Sequence, residues 1–332
     1  MIYDVVIIGS GPAGTASAIM CKQNGLRVAV LSDLSKSVLH PNHNVSHTVH
    51  FGVMELSKKL GLYHEFTDSV LSEFDSIRVS PFSDTKEGEI TSWNGFHICK
   101  KRLDINLKEK LLKEEGIELI TATATNVTIH NRYYDIETSH GNVIGRFVID
   151  ATGRSRFLGK KLKIREKKFS KPMVSYTGRS NRDIHKYESN NPELSFNDNG
   201  WTWCAPDKNN SMTWTNLYVY SKDKQRTQKS IKSLKGKGFN TTWRLYRPLA
   251  EDQTILAGDA GGILDPSAGQ GIFNALISGI NAANCVAHSL DDPDNSLMHQ
   301  LAYDSWFLDL FKNKAMALSD VYKDNGLDIS TL

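Results

Sequence analysis

The chain carries only four cysteines, Cys21, Cys99, Cys204 and Cys285, with no Cys-x-x-Cys and no paired spacing. That scarcity argues against a disulfide framework and a thiolate metal site, and it fits a reduced, cytoplasmic protein. No run of 18 apolar residues occurs, so nothing reads as a membrane-spanning helix. The first apolar run starts at residue 2 and leads straight into a glycine turn, so no secretion signal is expected. Charge of one sign is also missing: 40 basic against 37 acidic residues leave a net +3, too little to argue for nucleic acid. Neither internal repeats nor low-complexity segments are found, which excludes a solenoid. With 332 residues the chain should bury roughly three-quarters of its extended surface in about two domains.

Glycine, by contrast, is placed with purpose. Gly9, Gly11 and Gly14 follow the apolar run Tyr3 to Ile8 and open a helix-compatible segment from Ala13 to Gln23. Gly9 lets the chain leave a strand tightly, Gly11 removes a Cβ from the path of a pyrophosphate, and Gly14 lets helix and strand pack closely. Pro12 and Ala13 start the helix, whose free N–H groups face the anion. A second apolar run, Leu26 to Leu31, completes the start of a βαβ unit. The ribose carboxylate of such a site is expected about 20 residues after the glycines. That count falls on Ser32, and the role is assigned to its neighbour Asp33.

A distant element decides between dinucleotides. After the short apolar run Thr254 to Ala257 come Gly258 and Asp259, then Leu264 to Gly271 and a largely apolar helical segment from Ile272 to Val286. The Asp259 carboxylate can bond ribityl hydroxyls. A helix starting near Gly269 to Ile272 aims N–H groups at the pyrimidine edge of a flavin. NAD needs no second site of this kind.

With both elements in view, the chain resembles the superfamily of FAD-dependent aromatic hydroxylases, geranylgeranyl reductases and flavin-dependent halogenases. The matching stretches are Gly9 to Gly14, Arg102 with Asp104 at a helix start, Asp150 to Gly153, and Gly258 through Gly271. The resemblance implies an α/β fold: a Rossmann-like FAD domain with a central parallel sheet, interwoven with a mainly antiparallel substrate sheet and a C-terminal helix. It implies FAD contacts from Gly9, Gly11, Pro12, Ala13, Gly14, Asp33, Arg102, Gly258, Asp259, Pro266, Gly269, Gln270, Gly271 and Ile272. Residues 1–75, 100–165 and 244–290 are expected to form the FAD domain. The substrate domain takes 76–99 and 166–243, and 291–332 form the closing helical segment.

The stretch Gly200 to Pro206, with Trp201 and Trp203, resembles the Trp-x-Trp-x-x-Pro signature of the halogenases and related stretches in halogenase-like hydroxylases that act on aromatic side chains. Both indoles are therefore candidate catalytic residues, with a buried structural strand as the competing reading. The lysine that halogenases need is not found in Phe74 to Val79, which offers Arg78 instead. The halogenases' glutamate stretch is replaced by a histidine-rich one, in which His43, His47 and His50 share a face if the segment is helical. His43 and His47 are candidate proton acceptors beside the flavin. No metal site is assigned, because no carboxylate or cysteine joins the cluster.

These features point to an FAD-dependent monooxygenase that hydroxylates an electron-rich, aromatic substrate. The resemblance implies a flavin C4a-hydroperoxide as oxidant. Reductant is expected from NAD(P)H or as reduced flavin from a partner reductase, since only one glycine fingerprint is present. Two basic runs, Lys160 to Lys171 and Lys222 to Lys237, read either as solvated surface or as a docking site for an acidic carrier protein or peptide. A halogenase, a geranylgeranyl-reductase-like enzyme and an FAD-binding maturation factor for a protein partner remain alternatives. On Met212 to Tyr220, Met212, Trp214, Tyr218 and Tyr220 share one strand face, as a pocket wall or a core layer. Leu301, Trp306, Leu308, Leu310 and Phe311 show helical spacing in the tail.

Overall fold

The computed structural model describes residues 1–33, 46–81, 89–131, 133–181, 190–206, 211–220, 237–329 and 331. The chain begins with β1 (Ile2–Ile8), α1 (Pro12–Gln23) and β2 (Val28–Leu31), followed by β3 (Ser46–His50), α2 (Gly52–Lys59) and α3 (Tyr63–Thr67). A long hairpin, β4 (Val70–Ser80) and β5 (Glu89–Cys99), leads into α4 (Lys100–Lys113). Next come β6 (Ile117–Ile120), β7 (Ala124–His130), β8 (Tyr133–Thr138), β9 (Gly141–Asp150), α5 (Phe157–Lys161) and β10 (Arg165–Lys168). Strands β11 (Met173–Asn181), β12 (Glu193–Asn197), β13 (Gly200–Pro206), β14 (Ser211–Val219) and β15 (Lys237–Asn240) follow. The remainder comprises β16 (Arg244–Arg247), β17 (Ala250–Glu251), β18 (Thr254–Leu256), β19 (Gly262–Ile263), α6 (Gly271–Asp291) and α7 (Ser296–Asp324).

One sheet runs β17-β18-β9-β1-β2-β6, with the β7–β8 hairpin added beyond β9. Its central strands are parallel and buried on both faces, which is why they read as continuous apolar runs rather than alternating ones. Ile8 lies opposite both Leu31 and Asp150, and Asp150 opposite Leu256, so four carboxyl ends finish at one level. A crevice at that level is where an open parallel sheet binds its ligand.

The second sheet, β15-β11-β14-β13-β12-β4-β5-β3, is antiparallel except where β12 joins β4. Strand β3 and the start of β4 belong to it, although both fall inside the segment 1–75 expected to serve the parallel sheet. A small third sheet runs β10-β16-β19, antiparallel throughout.

Close helix packing brings the two ends of the chain together. Helix α1 is built from small residues, and the Ser17 hydroxyl donates to the Ala13 carbonyl (2.9 Å) and to the Gly279 carbonyl of α6 (3.1 Å). A Cβ on Gly279 would collide with the Ala13 carbonyl oxygen, so α1 and α6 cross backbone to backbone. That crossing carries the Gly9 turn to the segment that precedes α6.

Several expectations change. Residues 46–50 form a strand, so His47 and His50 fall on opposite faces rather than on one helical face, and His43 lies outside the described residues. Pairing to Cys99 through Gly95 on β5 outweighs any helical preference of the segment. Helix α7 does form, but its buried stripe is Tyr303, Phe307, Phe311, Ala315, Leu318 and Tyr322; Leu301 is exposed. On β14 the core side holds Thr213, Leu217 and Val219, while Met212, Trp214 and Tyr218 face outward and are half-buried, so they are not a core layer.

Candidate functional site

The crevice is assembled from three turns, each shaped by what a side chain would strike. Gly9 adopts φ +108, and a Cβ there would lie 2.5 Å from the Ala151 carbonyl oxygen. A Cβ on Gly14 would run into the Gly9 carbonyl itself, and one on Gly258 would come within 3.1 Å of the Ala13 Cβ. Gly9, Ala13, Gly14, Ala151 and Gly258 thus touch one another across sequence gaps of more than a hundred residues. By contrast, a Cβ on Gly11 or on Gly271 would meet nothing within 4 Å. These two positions border open space at the N-terminal ends of α1 and α6, where free N–H groups and helix dipoles suit an anion. Pro12 is the first residue of α1, with Gly11 as its extended N-cap.

Two further features hold the crevice in shape. The Asp150 carboxylate accepts from the Thr152 N–H (3.0 Å), the Thr152 hydroxyl (2.6 Å) and the Leu158 N–H (2.8 Å). Burial pushes its pKa up, against those hydrogen bonds, so it acts as an internal clamp of the strand-end turn. The Ser278 hydroxyl accepts from Gly258 N–H (2.8 Å) and donates to the Ala275 carbonyl (3.0 Å), fixing the Gly258 turn to α6.

Asp33 follows the end of β2 and accepts from the Thr123 hydroxyl at 2.8 Å. Ser32, the position reached by counting, instead hydrogen-bonds Ser10 of the glycine turn (2.6 Å). The carboxylate thus follows the strand end one residue later than the count. Arg102 does not join it: its guanidinium pairs with Asp68 at 3.0 Å on an exposed side of α4. The α4 residue that feels the Asp33 charge is Lys108, which shares its helix face with Lys100 and Asp104. Lys100 pairs with Asp104, and burial lowers the Lys108 pKa while Asp104 and Asp33 raise it. Their spacing of four residues was a legible signal for one helix face. Asp259 is half-exposed at the crevice and accepts from Arg154 Nε at 3.3 Å; Arg154 in turn lies over the Phe239 ring.

The loop from Asp265 to Gly271 forms the far wall. It contains a short 3-10 turn, Pro266–Ala268, capped by the Asp265 carboxylate accepting from Ser267 N–H at 3.0 Å. Gly269 then takes φ +59, where a Cβ would lie 3.1 Å from the Trp93 ring and 3.2 Å from the Thr48 carbonyl oxygen. Gln270 caps α6, whose first turn includes the buried Ile272. Trp93 also packs against His50 (5.7 Å between centroids) and Phe74 (6.2 Å).

So His50, not His47, reaches the cluster beside the loop, with its Nδ1 accepting from Gly52 N–H at 3.0 Å. His97, which motif reading passed over, is buried in the same cluster. Its Nε2 is 2.9 Å from the Asn190 carbonyl, its Nδ1 3.3 Å from the Thr48 hydroxyl, and Phe74 stacks at 5.0 Å. A carbonyl can only accept, so Nε2 carries the hydrogen and Nδ1 accepts from Thr48. Only the pairing of β3 with β5 brings it there, and no local motif announces that pairing. Trp201 and Trp203 point to the inner face of β13. Trp201 is fully buried and donates its indole N–H to the Tyr322 hydroxyl at 2.6 Å; it does not line an open surface.

Among the described residues no group of three or more His, Cys, Asp or Glu is placed to hold a metal, and no helix is long and apolar enough to cross a membrane. The residues do fit a dinucleotide. Open Gly11 and Gly271 positions, two helix N-termini and carboxylates at Asp33 and Asp259 match a pyrophosphate flanked by two hydroxylated sugars, and Trp93 with the Gly269 loop suits a planar ring.

Known proteins carry the same architecture. The chain is 22% identical over 328 residues to a 1H-pyrrole-2-carbonyl-[peptidyl-carrier protein] brominase of Pseudoalteromonas luteoviolacea, covering 88% of this chain and 79% of that protein. The structure of the flavin-dependent brominase Bmp2 superposes with a TM-score of 0.76 at 20% identity, over 92% of this chain and 84% of that one. The peptidyl tryptophan dihydroxylase QhpG, described as essential for tryptophylquinone cofactor biogenesis, superposes with a TM-score of 0.77 at 18% identity, over 98% and 76% of the two chains. A family model described as lycopene cyclase protein matches residues 4–170, and the chain belongs to that family.

Proposed function

We propose that the protein is an FAD-dependent monooxygenase that hydroxylates an electron-rich aromatic group presented by a carrier protein or a peptide. The observation that carries this reading is the convergence of Gly9 to Gly14, Ala151 to Gly153 and Gly258 to Gly271 on one crevice with open space at Gly11 and Gly271. FAD, reduced by NAD(P)H or delivered reduced by a partner reductase, supplies the oxygen-activating chemistry when bound. The chain's own residues bind and shield it. Gly11 and the α1 N-terminus receive the pyrophosphate, Asp33 and Asp259 hold the two sugar portions, and the α6 N-terminus faces the developing negative charge on the ring. Trp93, Phe74 and the buried His97 keep water from the adjacent wall, and His50, whose Nδ1 is taken by the Gly52 N–H, presents its Nε2–H there as a hydrogen-bond donor.

A carrier or peptide partner is supported by the exposed basic strip Lys160, Lys161, Lys163, Arg165, Lys167, Lys168 and Lys171. It suits an acidic partner steered by charge. Of the second basic run, Lys222 to Lys237, all but Lys237 lie outside the described residues. Both the brominase relative and the dihydroxylase act, by their descriptions, on carrier-bound or peptidyl groups.

Halogenation is the second reading, favoured by the brominase likeness. Against it, the basic residue of β4 is Arg78, which is exposed and stays protonated, so it cannot serve as the amine that would carry a hypohalous species. The test is to reduce the flavin-loaded protein without oxygen, then admit air with chloride, bromide and an indolyl or phenolic peptide. Mass gain of one oxygen with oxygen uptake supports hydroxylation. A halogen-substituted product, or turnover without oxygen uptake, overturns it.

A further inference from the structure

Four side chains from four parts of the chain meet beneath the loop that precedes α6. Asp265 is buried, and its carboxylate has three donors: Ser267 N–H at 3.0 Å, the Trp243 indole at 2.6 Å and the Tyr322 hydroxyl at 3.2 Å. None of these partners is a cation. Tyr322, near the end of α7, is itself the acceptor for the Trp201 indole of β13 at 2.6 Å. Its ring stands edge-on to Trp243 and Phe196, each 5.9 Å away. Trp201, Trp243 and Tyr322 are all under 2% exposed, so water does not substitute for any of these bonds.

A carboxylate buried without a cation is costly to keep, and burial pushes its pKa up. A hydrocarbon side chain would fill the same space without that cost, but it could not direct the loop. Asp265 does so at a defined place: one oxygen caps the Pro266–Ala268 turn, and the other is pinned by groups on the antiparallel sheet side and on α7. The loop it starts runs on to Gly269 against Trp93, and to Gly271 at the open end of α6.

We propose that Trp201 is a positioning residue: acting through Tyr322 and Asp265, it sets the loop from Pro266 to Gly271 that forms the flavin side of the crevice. The first tryptophan of the Trp-x-Trp stretch thereby serves cofactor binding from a distance rather than touching substrate. The inference rests on the reading that this loop binds FAD.

The test compares Trp201→Phe, Tyr322→Phe and Asp265→Asn with Tyr134→Phe, which loses a buried hydroxyl bonded to the Asp252 carbonyl outside this network, reading the dissociation constant for FAD and the absorption spectrum of the bound flavin alongside thermal unfolding. Tyr322→Phe is the cleanest variant, since it keeps the ring packed on Trp243 and Phe196 and removes only the hydroxyl. Each of the three network variants is expected to weaken FAD binding on the order of tenfold, as for a buried hydrogen bond lost, and to shift the flavin bands. Trp201→Phe and Tyr322→Phe combined should weaken it no more than Tyr322→Phe alone, because both break the same chain. Tyr134→Phe should leave affinity and bands unchanged. If the network variants melt earlier yet bind FAD with unaltered affinity and bands, the network is only core packing and the proposal is overturned. If Asp265→Asn does not fold, Tyr322→Phe decides by the same readouts. Should the unaltered protein itself not bind FAD, the reading of the crevice fails instead.

Discussion

Replacing Gly11 by alanine adds a methyl to the side of the crevice, and the structure says what that methyl meets: nothing within 4 Å. The backbone there has φ −74 and ψ −175, which alanine adopts freely. Losing a glycine from the unfolded chain stabilises by about 0.4–1 kcal/mol, and the poorer N-cap offsets a similar amount. Unfolding of the flavin-free Gly11→Ala protein should therefore stay within about 1 kcal/mol of the parent. FAD binding should suffer, because the methyl occupies the space a pyrophosphate needs. Overpacking of that kind costs about 1–3 kcal/mol, which is roughly 5- to 150-fold in Kd. Gly14→Ala makes the opposite case. Its methyl drives into the Gly9 carbonyl, a backbone atom that cannot swing aside, so α1 must lift off β1. The flavin-free protein should lose more than about 3 kcal/mol of stability. Thermal melts without flavin, paired with titration of FAD by fluorescence quenching, separate the two. Unaltered FAD affinity in Gly11→Ala, or equal destabilisation by both variants, would refute the placement of the cofactor at this turn.

Asp150→Ala strips the acceptor from three donors at Thr152 and Leu158, and the urea midpoint should fall by the equivalent of about 3 kcal/mol at constant slope. Asp259→Ala removes only a half-exposed pair with Arg154, so melting should move little, while FAD affinity drops on the order of tenfold. Lys314 of α7 bonds Asn274 and lies over Phe273, and burial pushes its pKa down from 10.5 to about 8. Between those values the unfolded chain holds a proton that the folded one has released, so this group makes stability rise with pH across that window. The difference in melting temperature between the parent and Lys314→Met should therefore shift in the parent's favour from about pH 8 to 10.5, and a flat difference would contradict the burial.

Where local chemistry dictates the structure, the sequence was a sufficient guide. Gly9 to Gly14 needed only its strand, turn and helix, and Gly258 to Gly271 its apolar flanks, to be read as parts of one site. Asp33 lies one residue past the counted position, just after β2, because strand length sets the spacing. What failed were assignments that depend on pairing. Residues 43–50 hold helix-compatible spacing of histidines, yet β3 lies along β5, and the neighbouring strand's hydrogen bonds decide. The same pairing brings His97 to Thr48, which no window of local sequence contains. Arg102 and Lys100 illustrate the angular problem: two residues along a helix is a swing of about 200°, so adjacent basic residues face different partners. Trp201 and Trp203 matched a motif with a buried strand as the competing reading, but the hydroxyl of Tyr322 that receives the Trp201 indole was invisible.

The partnership of β18 with β9 also orders events during synthesis. Residues 148–150 present an unpaired edge until residues 254–256 arrive, and Gly258 finds its Ser278 anchor later still. A nascent chain lacking that distal portion has half a crevice and a bare sheet margin inviting misassociation. Cofactor loading is thus a late step, tied to completion of the α1 and α6 crossing, and a chain cut short before it should emerge unpigmented.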